Sequence, residues 1–383
     1  MGIAELTRNA VDVLPQGALE EKLKLGRPLR VKLGIDVTSP DIHIGRGIPL
    51  QRMRAFQDEG HKAVFIVGDY TTRIGDPSGR SSERPILSDE EIDANAQRYL
   101  EQAKVILRDD SELLEVRYNG EWLSKLSYAD VVRLGRVVTL ARMLERDDFE
   151  KRYRAGEPIS ISELLYPLMQ AYDSVAIEAD VELGGTDQLY NLLAGREVMA
   201  AYGLDPQVVL TTPLLLSWDG EKMSSSVGNN VPLTAAPEDM FGRTMRIPDS
   251  QLEEWWALVA EQPVPEGDPM QSKLDLARFI VARSHGEEAS RAAAEQFKRV
   301  VQDKELPEDI PEWPLPAGDP VHLPALLADA FSLSTSEARR LIGQGGVKID
   351  GNAVSELDVP RVQLEGAVLQ AGKRRFVRLN EAA

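Results

Sequence analysis

Two short segments of the sequence combine residue types that suit phosphate chemistry. The first, GIDVTSPDIHIGRG (34–47), follows a strand-like run and opens a helix-like one, so Thr38 and His43 lie near a strand-to-helix junction. A helix N-terminus offers unpaired N–H groups and the positive end of the helix dipole, and Gly45 allows a ligand to approach the backbone closely. We therefore expect Thr38 and His43 to donate to phosphate oxygens as these gain charge.

The second segment is WDGEKMSSSVGNN (218–230), which follows an apolar strand-like run and is rich in Gly, Ser and Asn. This composition is typical of a surface loop, in which Lys222 is a point charge suited to a phosphate. Taken alone, each segment is a weak signal, because helix starts with a hydrogen-bonded histidine and loops with a solvated lysine are common. Their order and spacing in one chain are much more specific.

A third group of polar residues has helical spacing. In YPLMQAYD, Tyr166, Gln170 and Asp173 stand at i, i+4 and i+7, which places a phenol, an amide and a carboxylate on one helix face. A carboxylate that accepts from a buried phenol O–H prefers tyrosine to phenylalanine, because losing the hydroxyl leaves the carboxylate unpaired. Without further information, core aromatic residues beside a surface acid would explain the same pattern.

The elements that must position these segments alternate in the first half of the chain. Apolar runs predict strands, and amphipathic runs predict helices, one of which opens with the capping-box spacing of Ser88 and Glu91. Such alternation favours an α/β protein with a parallel sheet. The predicted strands are 27–35, 62–70, 113–119 and 208–216, and the helices 44–60 and 88–110.

The second half of the chain has a different pattern. Residues 236–305 are almost wholly helical in pattern, and 306–320 are proline-rich and acidic, as in a linker. The segment 321–383 resembles a unit of its own, with a capped helix followed by a hairpin around Asp350-Gly351. Basic residues slightly outnumber acidic ones there, although the whole chain has a formal net charge of −18. This asymmetry indicates a different partner for the tail.

Composition excludes several classes of protein. The chain has 383 residues, 4 histidines and no cysteine, which rules out disulfides, thiolate metal sites and cysteine nucleophiles. The histidines are far apart in sequence, so we predict no protein metal site. No apolar run reaches the roughly 18 residues that cross a bilayer, and we expect a cytoplasmic protein without membrane contact. The acidic balance argues against loose nucleic-acid binding over the whole surface.

Several segments together resemble a known family. The first two resemble the HIGH and KMSKS signatures of class I aminoacyl-tRNA synthetases, while 68–84, 166–174 and 182–191 resemble tyrosyl-tRNA synthetases, in the bacterial branch with Lys-Leu-Gly before the first signature. The resemblance runs over nearly the whole chain. It implies a Rossmann-like catalytic domain, an α-helical anticodon-side domain and a small α+β, αL-type RNA-binding domain. Their expected bounds are 1–235, with a dimerisation insert at about 85–165, then 236–305 and 321–383.

The resemblance also implies a reaction and its partners. L-Tyrosine would be activated by ATP to tyrosyl-adenylate, and the tyrosyl group would pass to the 3′-terminal adenosine of tRNA(Tyr). ATP is a substrate that brings Mg²⁺ with it, and relatives of this kind are homodimers. Thr38, His43 and Lys222 would stabilise the charge of the reacting phosphates.

The remaining implied roles fall into four groups, namely tyrosine binding, ATP binding, pyrophosphate contact from a loop, and tRNA phosphate contact. Asp173 is implied for the phenol, Tyr166, Gln170 and Asp76 for the α-ammonium, and Gln188 for the carboxylate end. The other implied residues are Asp36, Gly45, Gly184, Gly185 and Asp187 for ATP, Arg80 and Arg84 for pyrophosphate, and Arg339, Arg340 and Lys348 for tRNA.

Three positions depart from the family pattern. Arg46 ends the first signature in place of His, Ser225 stands where a second Lys is expected, and Lys32 stands where many relatives have a Tyr. Arg46 remains a donor and a cation, whereas Ser225 offers only a neutral hydrogen bond. Lys32 would donate to the substrate phenol or pair with Asp173. These departures leave open a tryptophanyl-tRNA synthetase, a non-catalytic RNA-binding paralogue and a small-molecule adenylyltransferase.

Overall fold

The computed structural model describes residues 2–76, 87–225, 227–299, 310–372 and 375–381, without the side chains of 147, 148 and 381. The chain divides into two compact units, Met1–Arg291 and Ala292–Ala383. The class is α/β, as predicted.

The first unit is built on a six-stranded sheet in the order β1-β6-β5-β2-β3-β4. Neighbouring strands are parallel except for β1, which pairs antiparallel with β6 at one edge. The strands are β1 (Asp12–Leu14), β2 (Arg30–Ile35), β3 (Lys62–Val67), β4 (Leu114–Tyr118), β5 (Val181–Gly185) and β6 (Val208–Thr212).

The inner strands are apolar along their length because helices cover both faces of a parallel sheet. In β3, Ala63 to Val67 are fully buried, and every residue of β6 is buried. Leu33 of β2 and Leu183 of β5 belong to the same core cluster, together with Phe56 of the helix that follows β2.

Helices of the first unit connect and cover these strands. They are α1 (Ile3–Leu6), α2 (Ala18–Leu23), α3 (Ile44–Asp58), α4 (Asp89–Ala103), α5 (Gly120–Leu123), α6 (Tyr128–Leu134), α7 (Leu140–Met143), α8 (Asp147–Ala155), α9 (Ile161–Ile177), α10 (Leu189–Ala201), α11 (Pro237–Thr244), α12 (Leu252–Trp255) and α13 (Pro269–His285). A π-helical turn, Trp256–Ala260, follows α12, and α14 (Glu287–Phe297) follows α13.

Local sequence explains where the main helices begin. Ser88 and Glu91 form the predicted capping box at the start of α4. Ser160 caps α9 by accepting from the N–H of Ser162, and α9 ends where Glu178 takes a left-handed conformation. These two ends fix the rotation of α9, which carries the polar face described below.

The second unit contains a five-stranded sheet, ordered β10-β9-β12-β13-β7, and a separate strand pair, β11 with β8. The strands are β7 (Glu312–Leu315), β8 (Val321–His322), β9 (Val347–Ile349), β10 (Asn352–Ala353), β11 (Asp358–Val359), β12 (Val368–Ala371) and β13 (Arg375–Glu381). The helices are α15 (Leu323–Phe331) and α16 (Thr335–Gly343).

Two details of this unit bear on the sequence analysis. The predicted hairpin forms, with β9 and β10 paired across Asp350-Gly351. In contrast, residues 312–315 were expected in a linker but form β7, which pairs in parallel with β13. A strand tolerates Pro314 there because β7 is at the end of the sheet, where a missing N–H is not needed by a further neighbour.

Within the described residues, no helix is both long enough and apolar enough to cross a membrane.

Candidate active site

A cavity of about 510 Å³ opens in the first unit beside the carboxyl ends of the parallel strands. It is lined by residues at the ends of β2 and β5, by the start of α3, by one face of α9 and by the segment 222–227. In the sheet, β2 lies between β5 and β3, so the chain connections diverge on its two sides. Parallel α/β sheets bind ligands at such switch points.

The cavity brings together most of the site residues predicted from sequence. Those that line it are Asp36, His43, Gly45, Arg46, Asp76, Tyr166, Gln170, Asp173, Gly184, Gly185, Asp187, Gln188, Lys222 and Ser225. Lys32 and Thr38 are not among the described residues that line it. Arg80 and Arg84 lie outside the described residues.

The carboxylate of Asp173 is at the buried end of this cavity, with 3% of the residue exposed. Its Oδ1 accepts from Trp122 Nε1 at 2.8 Å, and its Oδ2 accepts from Asn119 Nδ2 at 3.3 Å. Burial raises the pKa of Asp173 to about 7, although the positive charge of Lys32 and these two donors act in the opposite direction. A carboxylate held in this way can accept from a ligand hydroxyl.

Asn119 and Trp122 were not identified from the sequence. Asn119 also donates to Thr71 Oγ1 at 3.0 Å, and its Oδ1 accepts from the N–H of Tyr70 at 3.0 Å. Both residues follow directly after β4, whose carboxyl end is at the same edge of the sheet as those of β2 and β5. The position of polar residues just after a parallel strand was therefore the signal that would have found them.

The face of α9 lies along the cavity as the helical spacing predicted. Tyr166 donates from its hydroxyl to Asp36 Oδ2 at 3.1 Å, and Asp36 Oδ1 accepts from Thr71 Oγ1 at 2.7 Å. Gln170 and Asp173 continue this face toward the buried end. The phenol of Tyr166 thus connects the helix to the end of β2.

A second polar pair borders the cavity beyond β5. Gln188 donates from Nε2 to Asp76 Oδ2 at 2.9 Å, and its Oε1 accepts from Asn191 Nδ2 at 2.9 Å. The amide orientation of Gln188 is therefore set by groups on both sides.

Glycines at the end of β5 leave no room for a side chain. A Cβ on Gly185 would lie 2.7 Å from Asp187 Oδ1 and 2.8 Å from Leu214, and one on Gly184 would lie 3.1 Å from Gln188 Cβ. The backbone itself therefore forms this wall of the cavity, next to the carboxylate of Asp187.

His43 occupies the N-cap position of α3 and is 6% exposed. Burial, together with the nearby positive charges of Arg46 and Lys222, lowers the pKa of His43 to about 3. The imidazole is therefore neutral at neutral pH, with one N–H to donate. Its Nδ1 is buried and makes no hydrogen bond within the described part of the chain, and it lies 3.1 Å from where a Cβ on Gly45 would be.

Arg46 lines the cavity but is engaged by a side chain of α4. Its guanidinium donates to the hydroxyl of Tyr99 and lies 5.7 Å from the centre of that ring. The hydroxyl of Tyr99 is also 3.0 Å from Ser39 Oγ. These contacts hold Arg46 at the mouth of α3 with its charge retained.

Lys222 forms an ion pair across the cavity, with Nζ 2.5 Å from Asp187 Oδ2. The segment around it is closed by Asn229, whose Nδ2 donates to Asp219 at 2.9 Å and whose Oδ1 accepts from the N–H of Ser224 at 2.9 Å. Ser225 is partly buried beside it. This closure holds the lysine over the glycine wall at the end of β5.

Lys32 does not have either of its expected partners. It is fully buried, and its Nζ lies 2.8 Å from Glu182 Oε1 rather than pairing with Asp173. The reason is the strand register, since Lys32 of β2 is directly opposite Glu182 of β5. Thr38 also departs from its expected place: its neighbour Val37 is anchored in the core, and Thr38 remains partly exposed in the loop before α3.

In the second unit, Arg339 and Arg340 are exposed on α16, and Lys348 is half-buried on β9. Ser334 caps α16 by accepting from the N–H of Glu337. The charges of this helix therefore face water.

Among the described residues, no group of three or more histidine, aspartate or glutamate side chains is arranged to hold a metal ion.

Solved structures with the same fold support this arrangement. A C-terminally truncated mitochondrial tyrosyl-tRNA synthetase of Aspergillus nidulans has a TM-score of 0.63 and 22% identity, and covers 77% of this chain and 92% of its own. A tyrosyl-tRNA synthetase of Archaeoglobus fulgidus, solved with L-tyrosine, has a TM-score of 0.60 and 22% identity, and covers 76% of this chain and 98% of its own. At this identity the likeness concerns the fold.

Sequence comparison goes further. The family model described as tRNA synthetases class I (W and Y) matches residues 24–302. A tyrosine–tRNA ligase of Moorella thermoacetica is 47% identical over 393 residues, which cover 98% of this chain and 94% of the relative. That of Thermotoga maritima is 45% identical over 389 residues, covering 98% and 96%. The chain therefore belongs to the class I tRNA synthetases of the tryptophan and tyrosine type, and within them to the tyrosine–tRNA ligases.

Proposed function

We propose that this enzyme joins L-tyrosine to tRNA(Tyr) in two steps, with ATP as the activating substrate. The observation that carries the choice of tyrosine is the carboxylate of Asp173, which is buried, held by two N–H donors and on the same helix face as Gln170. A buried acceptor at the closed end of a cavity favours a ligand that ends in a hydroxyl.

The amino-acid roles follow from this orientation. Asp173 accepts from the phenol, and the α-ammonium lies toward Tyr166, Gln170 and Asp76, which supply acceptor oxygens. Gln188, bonded to Asp76 through its amide, lies toward the carboxylate end. Lys32 takes no direct contact with the phenol in this assignment, because it pairs with Glu182.

The nucleotide roles use the rest of the cavity. The backbone at Gly184 and Gly185 and the carboxylate of Asp187 receive the ribose, with Asp36 between the two substrates. The phosphates lie toward the start of α3 and toward Lys222, where the neutral imidazole of His43 donates a hydrogen bond. Further donors proposed for the phosphates are Thr38, Arg46 and Ser225, and Arg80 and Arg84 for the departing pyrophosphate.

In the first step a carboxylate oxygen of tyrosine attacks the α-phosphorus of ATP, and the bond to the β-phosphate oxygen breaks. The products are tyrosyl-adenylate and pyrophosphate, whose extra negative charge is met by Lys222. In the second step a ribose hydroxyl of the terminal adenosine of tRNA attacks the tyrosyl carbonyl, and AMP leaves. Mg²⁺ enters with ATP as part of that substrate. The protein contributes positioning and charge stabilisation.

Amino-acid-dependent ATP–pyrophosphate exchange tests the first step, with tyrosine, phenylalanine and tryptophan compared in parallel. We expect exchange with tyrosine only, followed by transfer of radiolabelled tyrosine to tRNA(Tyr). Exchange with tryptophan would overturn the choice of amino acid. Folded protein that gives no exchange with any of the three would overturn the activity itself.

The pH dependence of tyrosine use is a separate prediction. Because burial raises the pKa of Asp173 to about 7, the group is protonated below this value and accepts fully from the phenol only above it. We expect KM for tyrosine to fall about tenfold between pH 6 and pH 8, with no matching step in KM for ATP. Pyrophosphate exchange at fixed ionic strength measures both. A flat tyrosine profile would contradict the protonation argument.

The second unit and the helices before it are proposed to bind tRNA. Arg339, Arg340 and Lys348 are placed to meet phosphates of the RNA backbone, which needs cations rather than a specific base contact. The helical segment 236–305 is proposed as the anticodon-side domain.

We also propose a homodimer, with the contact within about 85–165. Large apolar side chains are exposed in this region, as expected of a surface that a second copy covers. They are Tyr128, Val132, Leu140, Tyr153 and Ile161. The cytoplasm, where protein synthesis takes place, is the proposed location.

A further inference from the structure

A buried ion pair lies behind the proposed tyrosine site. Lys32 and Glu182 are 0% and 1% exposed, and Nζ of one lies 2.8 Å from Oε1 of the other. The two residues are directly opposite on neighbouring parallel strands. Such a pair adds little net stability, since the loss of hydration offsets most of the attraction between the charges. Its contacts therefore point to another role.

Those contacts converge on Gln170. Lys32 Nζ donates to the main-chain oxygen of Gln170 at 2.8 Å and to Ser174 Oγ at 2.7 Å. Glu182 Oε1 accepts from the side-chain Nε2 of Gln170 at 3.2 Å. The pair thus holds both the backbone and the amide of a residue that lines the cavity.

The amide of a glutamine has a donor end and an acceptor end, and a half-turn exchanges them. With Nε2 committed to Glu182, Oε1 is the end that remains for a ligand. An α-ammonium carries only donors, so it is bound by Oε1 and repelled by an N–H in the same place.

We propose that Lys32 and Glu182 form a positioning pair, which fixes Gln170 as an acceptor for the α-ammonium of tyrosine. This inference rests on the proposed function and adds to it two residues that do not touch the substrate. Lys32 supplies the countercharge that allows a buried carboxylate at 182.

The surroundings of Glu182 fit this role. Its Oε2 accepts from Gln207 Nε2 and from Ser174 Oγ, so both carboxylate oxygens are engaged. A Cβ on Gly195 would lie 2.5 Å from Gln207 Nε2 and 3.2 Å from Glu182 Oε2, which leaves little space for the carboxylate to move. An acceptor held this firmly can set the orientation of its neighbour.

The test compares tyrosine with 3-(4-hydroxyphenyl)propanoate, which is tyrosine without the ammonium group. The variant Lys32→Met/Glu182→Met removes both charges, so that no unpaired charge is left buried. Equilibrium dialysis gives the dissociation constant of each ligand without any need for catalysis. We expect the affinity for tyrosine to fall about tenfold, because one oriented hydrogen bond is lost, while the affinity for the analogue stays within twofold.

A matched control removes another buried ion pair that involves the same helix. Arg152 Nη1 lies 2.7 Å from Glu163 Oε2, with both side chains less than 10% exposed. We expect Arg152→Met/Glu163→Met to bind both ligands like the wild type. Glu182→Asp is the second variant: it keeps a charge opposite Lys32 but retracts the carboxylate from Gln170, and should also lose affinity for tyrosine alone.

Equal losses for the two ligands, or no loss for either, would overturn the positioning role and leave the proposed function standing. A wild-type enzyme that binds no tyrosine would overturn the proposed function, and this inference with it.

Discussion

Replacing Asp173 with asparagine is expected to lower kcat/KM for tyrosine about 100-fold and to leave the value for phenylalanine within a fewfold. The carboxylate is buried and accepts from Trp122 and Asn119, one on each oxygen. An asparagine amide would set an N–H against one of these donors and would offer the phenol a weaker, uncharged acceptor. Pyrophosphate exchange with each amino acid measures the two values.

The control for this variant is Asp180→Asn. Asp180 is also buried and bonded, to Arg27 at 2.7 Å, but it is not among the described residues that line the cavity. It should leave the preference for tyrosine unchanged. If Asp173→Asn kept the full preference, the phenol would have to be recognised elsewhere in the cavity.

Replacing Lys222 with methionine is expected to slow the formation of tyrosyl-adenylate by roughly 100- to 1,000-fold. The side-chain length is kept, but the cation that would meet the charge of the departing pyrophosphate is lost. Ser225 cannot replace it, because a hydroxyl contributes only a neutral hydrogen bond. KM for tyrosine should change little, since Asp187, the partner of Lys222, lies at the nucleotide end. Single-turnover measurement of adenylate formation separates this step from transfer.

Lys104→Met provides the comparison for that experiment. Lys104 pairs with Asp109 at 2.8 Å and is not among the described residues that line the cavity. It should form adenylate at the wild-type rate. A Lys222→Met enzyme as fast as this control would show that pyrophosphate leaves without help from the lysine.

The helix face of the tyrosine site was predictable from sequence. Tyr166, Gln170 and Asp173 are close in the chain, so helical periodicity alone places them on one side. The capping box at Ser88 and Glu91 was predictable for the same reason, since both residues are within one turn of the helix start.

Contacts between distant segments were not predictable in this way. Lys32 was expected near Asp173, but its partner is Glu182, which depends on the register of two strands that are far apart in sequence. Asn119 and Trp122 reach Asp173 only because β4 is in the same sheet as β2. The strand at 312–315 was missed because a proline-rich run gives no strand pattern, whereas pairing with β13 stabilises it at an edge.

The polar face of α9 has a consequence for how the two substrates are measured. Gln170 and Asp173 are three residues apart on one helix, so their separation along its axis is fixed at about 4.5 Å by the helical rise. One rigid body therefore gauges the length of the amino acid, from ammonium to hydroxyl. The nucleotide is instead gauged between α3, the end of β5 and the segment around Lys222, which are separate pieces of the chain. Errors in amino-acid length are thus resisted by a helix, and errors in the nucleotide only by the packing of three segments against one another.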